Sequence, residues 1–270
     1  MTDALLERIA SALERLAPAD PPPIDRAAPA FRWEGGRLRP VPEFAPLPLT
    51  LLTGIDTQRD ALFENSQRLA NGLAAHDALL WGVRGSGKSA LVSAVVGALQ
   101  AGGSQIALVE IATDSLDSVA SLMAEVSGWD RPILLFIDDL AFDQMGSALR
   151  SLRSLLAGGV VSRPAHVRLY VTSNRRTIVA RDMAAEESAI NAHDVSEDQL
   201  ALADRFGLSL GFHACDQDRY IAMVAGYAAH IGVVFDPADA IQWATQRGAR
   251  SGRVAWHYAV ELAGRAGKLL

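Results

Sequence analysis

Short apolar segments alternate with segments of helical period across the middle of the chain. The apolar segments span residues 78–82, 105–111, 132–138 and 166–173, and a further candidate spans 208–214. Strands of nearly continuous apolar character are buried on both faces, and parallel strands need a crossover between them, which is usually a helix. The pattern therefore predicts an α/β fold in three layers, with helices on both faces of a parallel sheet.

Helical periodicity predicts the elements between these strands. Helices are expected over 56–72, 88–100, 114–126 and about 143–157. Asp56 is of the residue type that caps a helix start, and a glycine commonly follows a helix end. We therefore expect Asp56 to cap the first helix, which should stop at residue 72.

After Cys215 the strand pattern gives way to three helical segments. They are separated at Gly232, at Pro237 and at residues 248–252, where glycine or proline interrupts the period. We therefore expect a core over residues 50–214, followed by a small helical lid over 215–270.

Residues 1–49 are expected to precede this core as a short helix and an arm. The helix carries one apolar stripe, which suits packing on the same domain or on a partner. Its members are Leu5, Leu6, Ile9, Leu13 and Leu16. Residues 18–48 contain many prolines and little periodicity, which indicates an extended arm or linker. Phe31, Trp33 and Phe44 suggest that this arm lies against another surface.

Composition narrows the classes of partner. Half of the 270 residues are hydrophobic, so a sizeable core can be buried, and the formal net charge is −6. That charge disfavours nucleic acid as a general partner, although a local basic patch would still allow it. With Cys215 as the single cysteine, no disulfide framework forms within the chain. The start of the chain lacks a secretory pattern, and no apolar stretch suits a membrane span. We therefore expect a cytoplasmic protein with no membrane partner.

A glycine-rich segment joins the first core strand to the next helix. It reads Gly82-Val83-Arg84-Gly85-Ser86-Gly87-Lys88-Ser89 and is followed by Ala90. This spacing matches the P-loop pattern, in which backbone N–H groups and a helix N-terminus bind a triphosphate. Lys88 is expected to reach the β- and γ-phosphates, and the Ser89 hydroxyl to bind Mg²⁺. The segment therefore predicts a site for a nucleoside triphosphate with Mg²⁺.

Polar side chains stand where two later strands end. Asp138 and Asp139 follow Ile137, and Asn174 follows Ser173. Ligands of α/β proteins bind at the carboxyl ends of the strands. We expect Asp138 to hold the Mg²⁺ shell, Asp139 to orient or deprotonate the attacking water, and Asn174 to bind that water or the γ-phosphate. Taken singly, the aspartates could cap a helix and the asparagine could belong to a turn.

Together these segments resemble the AAA+ ATPases. The P-loop corresponds to their Walker A segment, the Asp138–Asp139 pair to Walker B, and the segment that ends at Asn174 to sensor 1. The resemblance implies that Arg205, in the segment ADRFG, is an arginine finger acting on a neighbouring copy. It also implies that Arg253 is sensor 2 in its own site, with Arg250 as the alternative.

More narrowly, the chain resembles a bacterial family of AAA+ proteins defined by a domain of unknown function. The segments that carry this resemblance are LLERIASALERL, LLTGID, LLWGVRGSGKSALV, FIDDL, TSNRR, ADRFGL and GARSGRVAW. The resemblance implies ATP as the nucleotide, with Ile55 of LLTGID near the adenine. AAA+ proteins more often have glutamate at the position of Asp139, so the shorter side chain suggests slow hydrolysis.

Several functions follow from these expectations. The first is an ATPase that acts as a homo-oligomer and remodels or regulates a protein client. The second is an ATP-gated scaffold with little hydrolysis, which the short Asp139 favours. A small-molecule kinase and a nucleic-acid-associated ATPase resembling helicase loaders are further alternatives. Residues 175–204 begin basic and turn acidic, so they could contact a neighbouring subunit or a client, or form a solvated connection.

Overall fold

A computed structural model describes residues 6–8, 24–140, 152, 156, 163–174 and 204–269. One sheet of seven strands lies at the centre of these residues. Its strands are β1 (Ala30–Glu34), β2 (Arg37–Val41), β3 (Ala78–Gly82), β4 (Ala107–Ile111), β5 (Ile133–Ile137), β6 (Val167–Ser173) and β7 (Leu208–Phe212). The described helices are α1 (Asp56–Ala70), α2 (Lys88–Ala101), α3 (Val119–Ser127), α4 (Gln217–Ile231), α5 (Pro237–Gln246) and α6 (Gly252–Arg265).

The strand order places the carboxyl ends of three strands next to one another. The order is β2-β1-β4-β5-β6-β3-β7, and all neighbours except β1 and β2 run parallel. Strands β5, β6 and β3 are therefore adjacent, and their carboxyl ends lie side by side. The loop after β3 consequently meets the ends of β5 and β6.

Apolar residues fill both faces of this sheet, which confirms the predicted three-layer α/β fold. Successive strand residues point to opposite faces. Leu79 lies in the apolar cluster of one face and Leu80 in that of the other, and both are fully buried. Strands buried in this way need apolar residues at nearly every position, so the continuous apolar segments located them well.

The N-terminal part of the sheet departs from the expectation of an extended arm. Ala30–Glu34 and Arg37–Val41 form an antiparallel hairpin, and β1 extends the sheet in parallel beside β4. Gly35 and Gly36 connect the two strands with φ values of +57° and +72°, and two positive φ angles are what a type I′ hairpin turn requires. The arm interpretation of 18–48 is therefore wrong for this hairpin, although Phe31 and Trp33 do pack on the core, as expected of its aromatic residues.

The helices mostly follow their predicted ranges, with differences at the starts. α1 begins at Asp56, but Ile55 occupies its cap position and no side chain caps it, so the expectation of a cap by Asp56 is wrong. The helix predicted over 114–126 begins with a 3₁₀ turn at Thr113–Ser118, and α3 starts only at Val119. All of the helix predicted over 143–157 except residues 152 and 156, most of the N-terminal stripe and residues 175–203 lie outside the described residues.

Three capped helices form the lid. Side-chain oxygens of Asp216, Asp236 and Ser251 accept hydrogen bonds from the backbone at the starts of α4, α5 and α6, which satisfies N–H groups that lack a partner within the helix. The three helices share an apolar cluster separate from those of the sheet. None of the described helices is both long and apolar enough to cross a membrane.

Residues 47–52, here called the strap, connect the lid cluster with the core. A 3₁₀ turn covers Leu49–Leu51 within it. Leu51 belongs to the apolar cluster of the lid, whereas the next residue, Leu52, belongs to a cluster of the sheet. The strap therefore packs against both parts of the molecule.

Candidate functional site

The loop between β3 and α2 has the geometry of a phosphate-binding loop. Gly82 has a φ of +126°, and a Cβ there would lie 2.0 Å from the carbonyl oxygen of Phe212, so this position admits only glycine. The N–H of Val83 donates to that same oxygen at 3.0 Å, which fixes the start of the loop. The loop then runs into the N-terminus of α2, where free N–H groups and the helix dipole favour an anion.

Lys88 is the first residue of α2 and is only 5% exposed. Its ammonium donates to the carbonyl oxygens of Gly82 and Val83 at 3.0 and 2.9 Å, and to Oδ1 of Asn174 at 3.0 Å. All three of its donors therefore have partners. Burial lowers the pKa of Lys88 below its usual value and Arg253 adds to that effect, while Asp139 and Asp138 oppose it.

Asp138 lies within reach of two hydroxyl groups. Its Oδ1 accepts hydrogen bonds from Ser89 Oγ and from Thr172 Oγ1, each at 2.5 Å. Hydroxyl and carboxylate oxygens are ligands that suit Mg²⁺. Among the described residues no three His, Cys, Asp or Glu side chains group as a metal site. A cation at Ser89 and Asp138 would therefore complete its coordination with water and phosphate oxygens.

Asp139 has an unusual backbone and a direct side-chain partner. Its φ is +53°, in the left-handed region, which aspartate adopts more readily than most residues. Its N–H donates to Thr172 Oγ1 at 2.8 Å, and its carboxylate accepts a hydrogen bond from the amide of Asn174. Asn174 thus contacts both Asp139 and Lys88, so the predicted residues at the three strand ends form one network.

A cleft of about 280 Å³ lies over this network, between the core and the lid. Arg84, Ser89 and Ala90 line its core side, and Arg253 reaches it from α6. Arg250 instead lines a small neighbouring cavity. Of the two arginines considered for sensor 2, Arg253 is therefore the one that lines the cleft over Lys88 and Asp138.

The lid touches the phosphate-binding loop directly. The N–H of Arg253 donates to the carbonyl oxygen of Gly85 at 3.3 Å. A Cβ on Gly85 would lie 3.1 Å from Ser251 Oγ, so the two segments are closely packed. The start of α6 is therefore held against the middle of the loop.

The small cavity is also lined by both the phosphate-binding loop and the lid. Ile55 and Ser86 line it together with Met223 of α4. The Cδ1 atom of Ile55 is 3.6 Å from where a Cβ on Gly87 would be. Ile55 thus lies beside the phosphate-binding loop and next to the lid, where the resemblance places the adenine.

Arg205 lies away from the cleft of its own chain. It is exposed in the turn before β7. Leu208, the first residue of β7, pairs with Ala78 at the start of β3, whereas the phosphate-binding loop follows the end of β3 at Gly82. Arg205 therefore lies near the amino ends of the strands, opposite their carboxyl ends, and is not placed to reach the cleft of the same chain.

The structure adds cleft residues that the sequence did not single out. Thr172 is two residues before Asn174, and nothing in its residue type distinguishes it from an ordinary strand threonine. Trp256 and Tyr227 form an aromatic wall of the cleft, with ring centroids 5.2 Å apart. Because Trp256 follows Arg253 by three residues, helical spacing could have placed it on the same face of α6.

Solved structures share this fold at low sequence identity. A RuvB variant of Thermotoga maritima is 17% identical, with a TM-score of 0.55, and the match covers 83% of this chain and 68% of that one. The Orc1 protein of Aeropyrum pernix in complex with DNA is 14% identical, with a TM-score of 0.55, over 82% of this chain and 65% of that one. No curated protein matches the chain.

A family model covers most of the chain. The model described as "Protein of unknown function (DUF815)" matches residues 26–266. That range includes the hairpin, the phosphate-binding loop, the strand ends around it and the lid. The fold shared with RuvB and Orc1 is the AAA+ fold. The chain therefore belongs to the DUF815 family and has an AAA+ fold.

Proposed function

We propose that this chain binds ATP with Mg²⁺ in the cleft between core and lid and hydrolyses it to ADP and phosphate. The observation that carries the proposal is the network of Lys88, Asp138, Asp139 and Asn174 at three adjacent strand ends. Phosphoryl transfer to water uses such a set of groups beside a phosphate-binding loop. The set consists of an ammonium group, a carboxylate near the metal ion, a second carboxylate and an amide.

Each group has a role in the attack of water on the γ-phosphorus. Mg²⁺ held by Ser89 and Asp138 would neutralise charge on the phosphates. Asn174 would orient the water, and Asp139 would accept a proton from it. As the water oxygen bonds to phosphorus, the bond to the β,γ-bridging oxygen breaks and that oxygen leaves with ADP. Lys88 and Arg253 would stabilise the charge that develops.

The remaining charge would come from a second copy of the chain. Arg205 is exposed near the amino ends of the strands, away from the cleft of its own chain. In a head-to-tail assembly an arginine so placed can enter the site of a neighbour, and such a finger contributes about 10³- to 10⁵-fold to rate. We therefore infer that the working form is a homo-oligomer in which each site is shared, acting on a protein client.

A nucleic-acid-associated ATPase is the second candidate. The exposed side chains of Arg32, Arg37 and Arg39 lie on the β1–β2 hairpin, with Arg32 paired across the strands with Arg39. None of the three forms an ion pair with a described residue. In the sheet register Glu110 stands opposite Arg32 and Glu34 opposite Arg37, so these carboxylates offset part of the positive charge. The test is DNA binding at several salt concentrations. This role would be supported if the logarithm of the affinity falls linearly with the logarithm of the salt concentration, and if this salt dependence disappears when all three arginines are replaced by alanine.

The first experiment is steady-state ATP hydrolysis as a function of protein concentration, with Lys88→Ala as the blank. Specific activity that rises with concentration and disappears in the blank would support an assembly-dependent ATPase. Tight binding of ATP with negligible turnover at every concentration would contradict the hydrolase and favour the ATP-gated scaffold. Arg253→Ala should reduce turnover at every concentration, because that arginine lies in the site of its own chain.

A further inference from the structure

Thr172 uses one hydroxyl group to contact both aspartates of the site. It is the next-to-last residue of β6 and is 1% exposed. Its Oγ1 donates to Asp138 Oδ1 at 2.5 Å and accepts the N–H of Asp139 at 2.8 Å. A hydroxyl carries one proton and two lone pairs, so it can make both bonds at once. The side chain thus joins two consecutive residues that have different roles.

The bond to Asp138 restrains the carboxylate on the metal side. Ser89 donates to the same Oδ1, so that oxygen has two hydroxyl donors. This arrangement leaves Oδ2 of Asp138 as the oxygen that can face the cation or its water shell. Groups that orient a metal-binding carboxylate in this way are as much part of the site as the ligand itself.

The bond to Asp139 stabilises its left-handed backbone. A φ of +53° is uncommon for residues other than glycine, and the surrounding structure must hold it. Thr172 does so through the Asp139 N–H, while its own carbonyl oxygen accepts the N–H of Leu140 at 2.8 Å. The backbone of Asp139 sets the direction of the carboxylate that Asn174 contacts.

We propose that Thr172 is a positioning residue, which aims the Asp138 carboxylate at the cation and the Asp139 carboxylate at the attacking water. The proposal rests on the proposed function, since it assigns these two roles to the aspartates. Valine would fill the same volume on a buried strand, so packing alone does not require a hydroxyl there. Both bonding partners of the hydroxyl are groups of the site, which packing does not explain.

The test compares Thr172→Val, Thr172→Ser and Ser173→Ala in the full chain. Valine keeps the shape and removes both bonds, whereas serine keeps the hydroxyl. Ser173 is the matched control, because it is equally buried on the same strand and donates to the Leu140 carbonyl oxygen at 3.0 Å but contacts neither aspartate. The readouts are kcat and the affinity for a fluorescent ATP analogue, the latter measured with EDTA and across a Mg²⁺ titration.

A positioning role predicts a specific pattern. Thr172→Val should lower kcat by about 10- to 100-fold and raise the Mg²⁺ concentration needed for tight binding. Its affinity in EDTA should equal that of the wild type, because the phosphate-binding loop is untouched. Thr172→Ser should recover most of the rate, and Ser173→Ala should retain it.

Two results would overturn the proposal. One is a Thr172→Val protein with wild-type kcat and Mg²⁺ dependence. The other is a loss of affinity in EDTA that equals the loss in rate, which indicates a general structural defect. If the wild-type chain binds ATP without hydrolysing it, the proposed ATPase fails instead, and the Mg²⁺ titration alone then decides whether Thr172 positions Asp138.

Discussion

The Lys88 ammonium donates a hydrogen bond to the side-chain oxygen of Asn174 over 3.0 Å, which ties the start of α2 to the end of β6. The other two donors of Lys88 are held by carbonyl oxygens of the phosphate-binding loop. A γ-phosphate must therefore replace at least one of these three acceptors. The Asn174 oxygen is the acceptor that a phosphate can replace without breaking a contact to the loop.

Replacement of Asn174 by alanine should move affinity and rate in opposite directions. The substitution frees one Lys88 donor for phosphate, so ATP affinity should stay the same or rise by up to about fivefold, the worth of one hydrogen bond. It also removes the amide that orients water and contacts Asp139, so kcat should fall by about 10²- to 10³-fold. Isothermal titration and steady-state hydrolysis test these two effects. A large loss of ATP affinity would show that Asn174 mainly supports nucleotide binding.

A mixture of two inactive variants should recover activity if the site is shared. Arg205→Ala keeps an intact nucleotide cleft but cannot supply a finger, whereas Lys88→Ala supplies the finger from a disabled cleft. Each alone should be inactive, and equal mixing should restore up to about a quarter of the wild-type rate, because at random one interface in four combines an intact cleft with a finger. The control is Arg205→Ala mixed with Arg205→Ala,Lys88→Ala, which should stay inactive. Inactivity of the first mixture as well would count against a finger at Arg205.

Two buried tyrosines should respond differently to the loss of their hydroxyl groups. The Tyr170 hydroxyl bonds to Asn65 at 2.9 Å and to Ser66 at 2.8 Å, whereas the Tyr220 hydroxyl has no hydrogen-bond partner among the described residues. Tyr170→Phe should lower the free energy of unfolding by about 1–2 kcal/mol. Tyr220→Phe should leave it unchanged or raise it slightly, because no bond is lost. Urea unfolding at neutral pH measures both, and an equal loss would refute this difference.

Tyr170 should also affect how the free energy of unfolding depends on pH in alkaline solution. Burial raises the pKa of Tyr170 to about 12, from an ordinary value of 10.0. The folded protein therefore keeps this proton where the unfolded chain loses it, so its contribution is full below about pH 10 and is lost as the pH rises to about 12. A pKa raised from 10.0 to about 12 corresponds to a contribution of about 3 kcal/mol to the free energy of unfolding. Unfolding free energies from pH 8 to 11 should fall less steeply in Tyr170→Phe, with Tyr220, whose pKa is also raised to about 12, causing part of the remaining slope. An unchanged slope would contradict the assignment to Tyr170.

The sequence located the sheet well, and singled out the polar residues at its strand ends, for one physical reason. A parallel strand that is buried on both faces has few polar positions, so the polar residues that directly follow such strands stand out. Asp138 and Asn174 were found in this way, and they contact the start of α2 through Ser89 and Lys88, respectively, while their roles stay predictions. The roles assigned to Arg205 and Arg253 remain predictions.

What the sequence missed depends on contacts between distant segments. The β1–β2 hairpin was obscured by prolines on both sides, although the two glycines in its turn were a usable hairpin signal. Thr172 resembles any β-branched strand residue, and only its contacts with the ends of β5 distinguish it. Residue type predicts such a contact poorly, because it depends on which strands become neighbours.

The strap has the position of a hinge between the lid and the core. Leu51 packs in the lid cluster and Leu52 in a cluster of the sheet, so a tilt of the lid would have to bend the strap between them as well as the connection from β7 to α4. α6 starts against the phosphate-binding loop and has 14 residues, a length of about 21 Å. It would therefore act as a lever: a tilt of about 10° would carry its far end through about 4 Å. Any tilt that begins at the phosphate-binding loop would thus displace the far end of α6 more than its start.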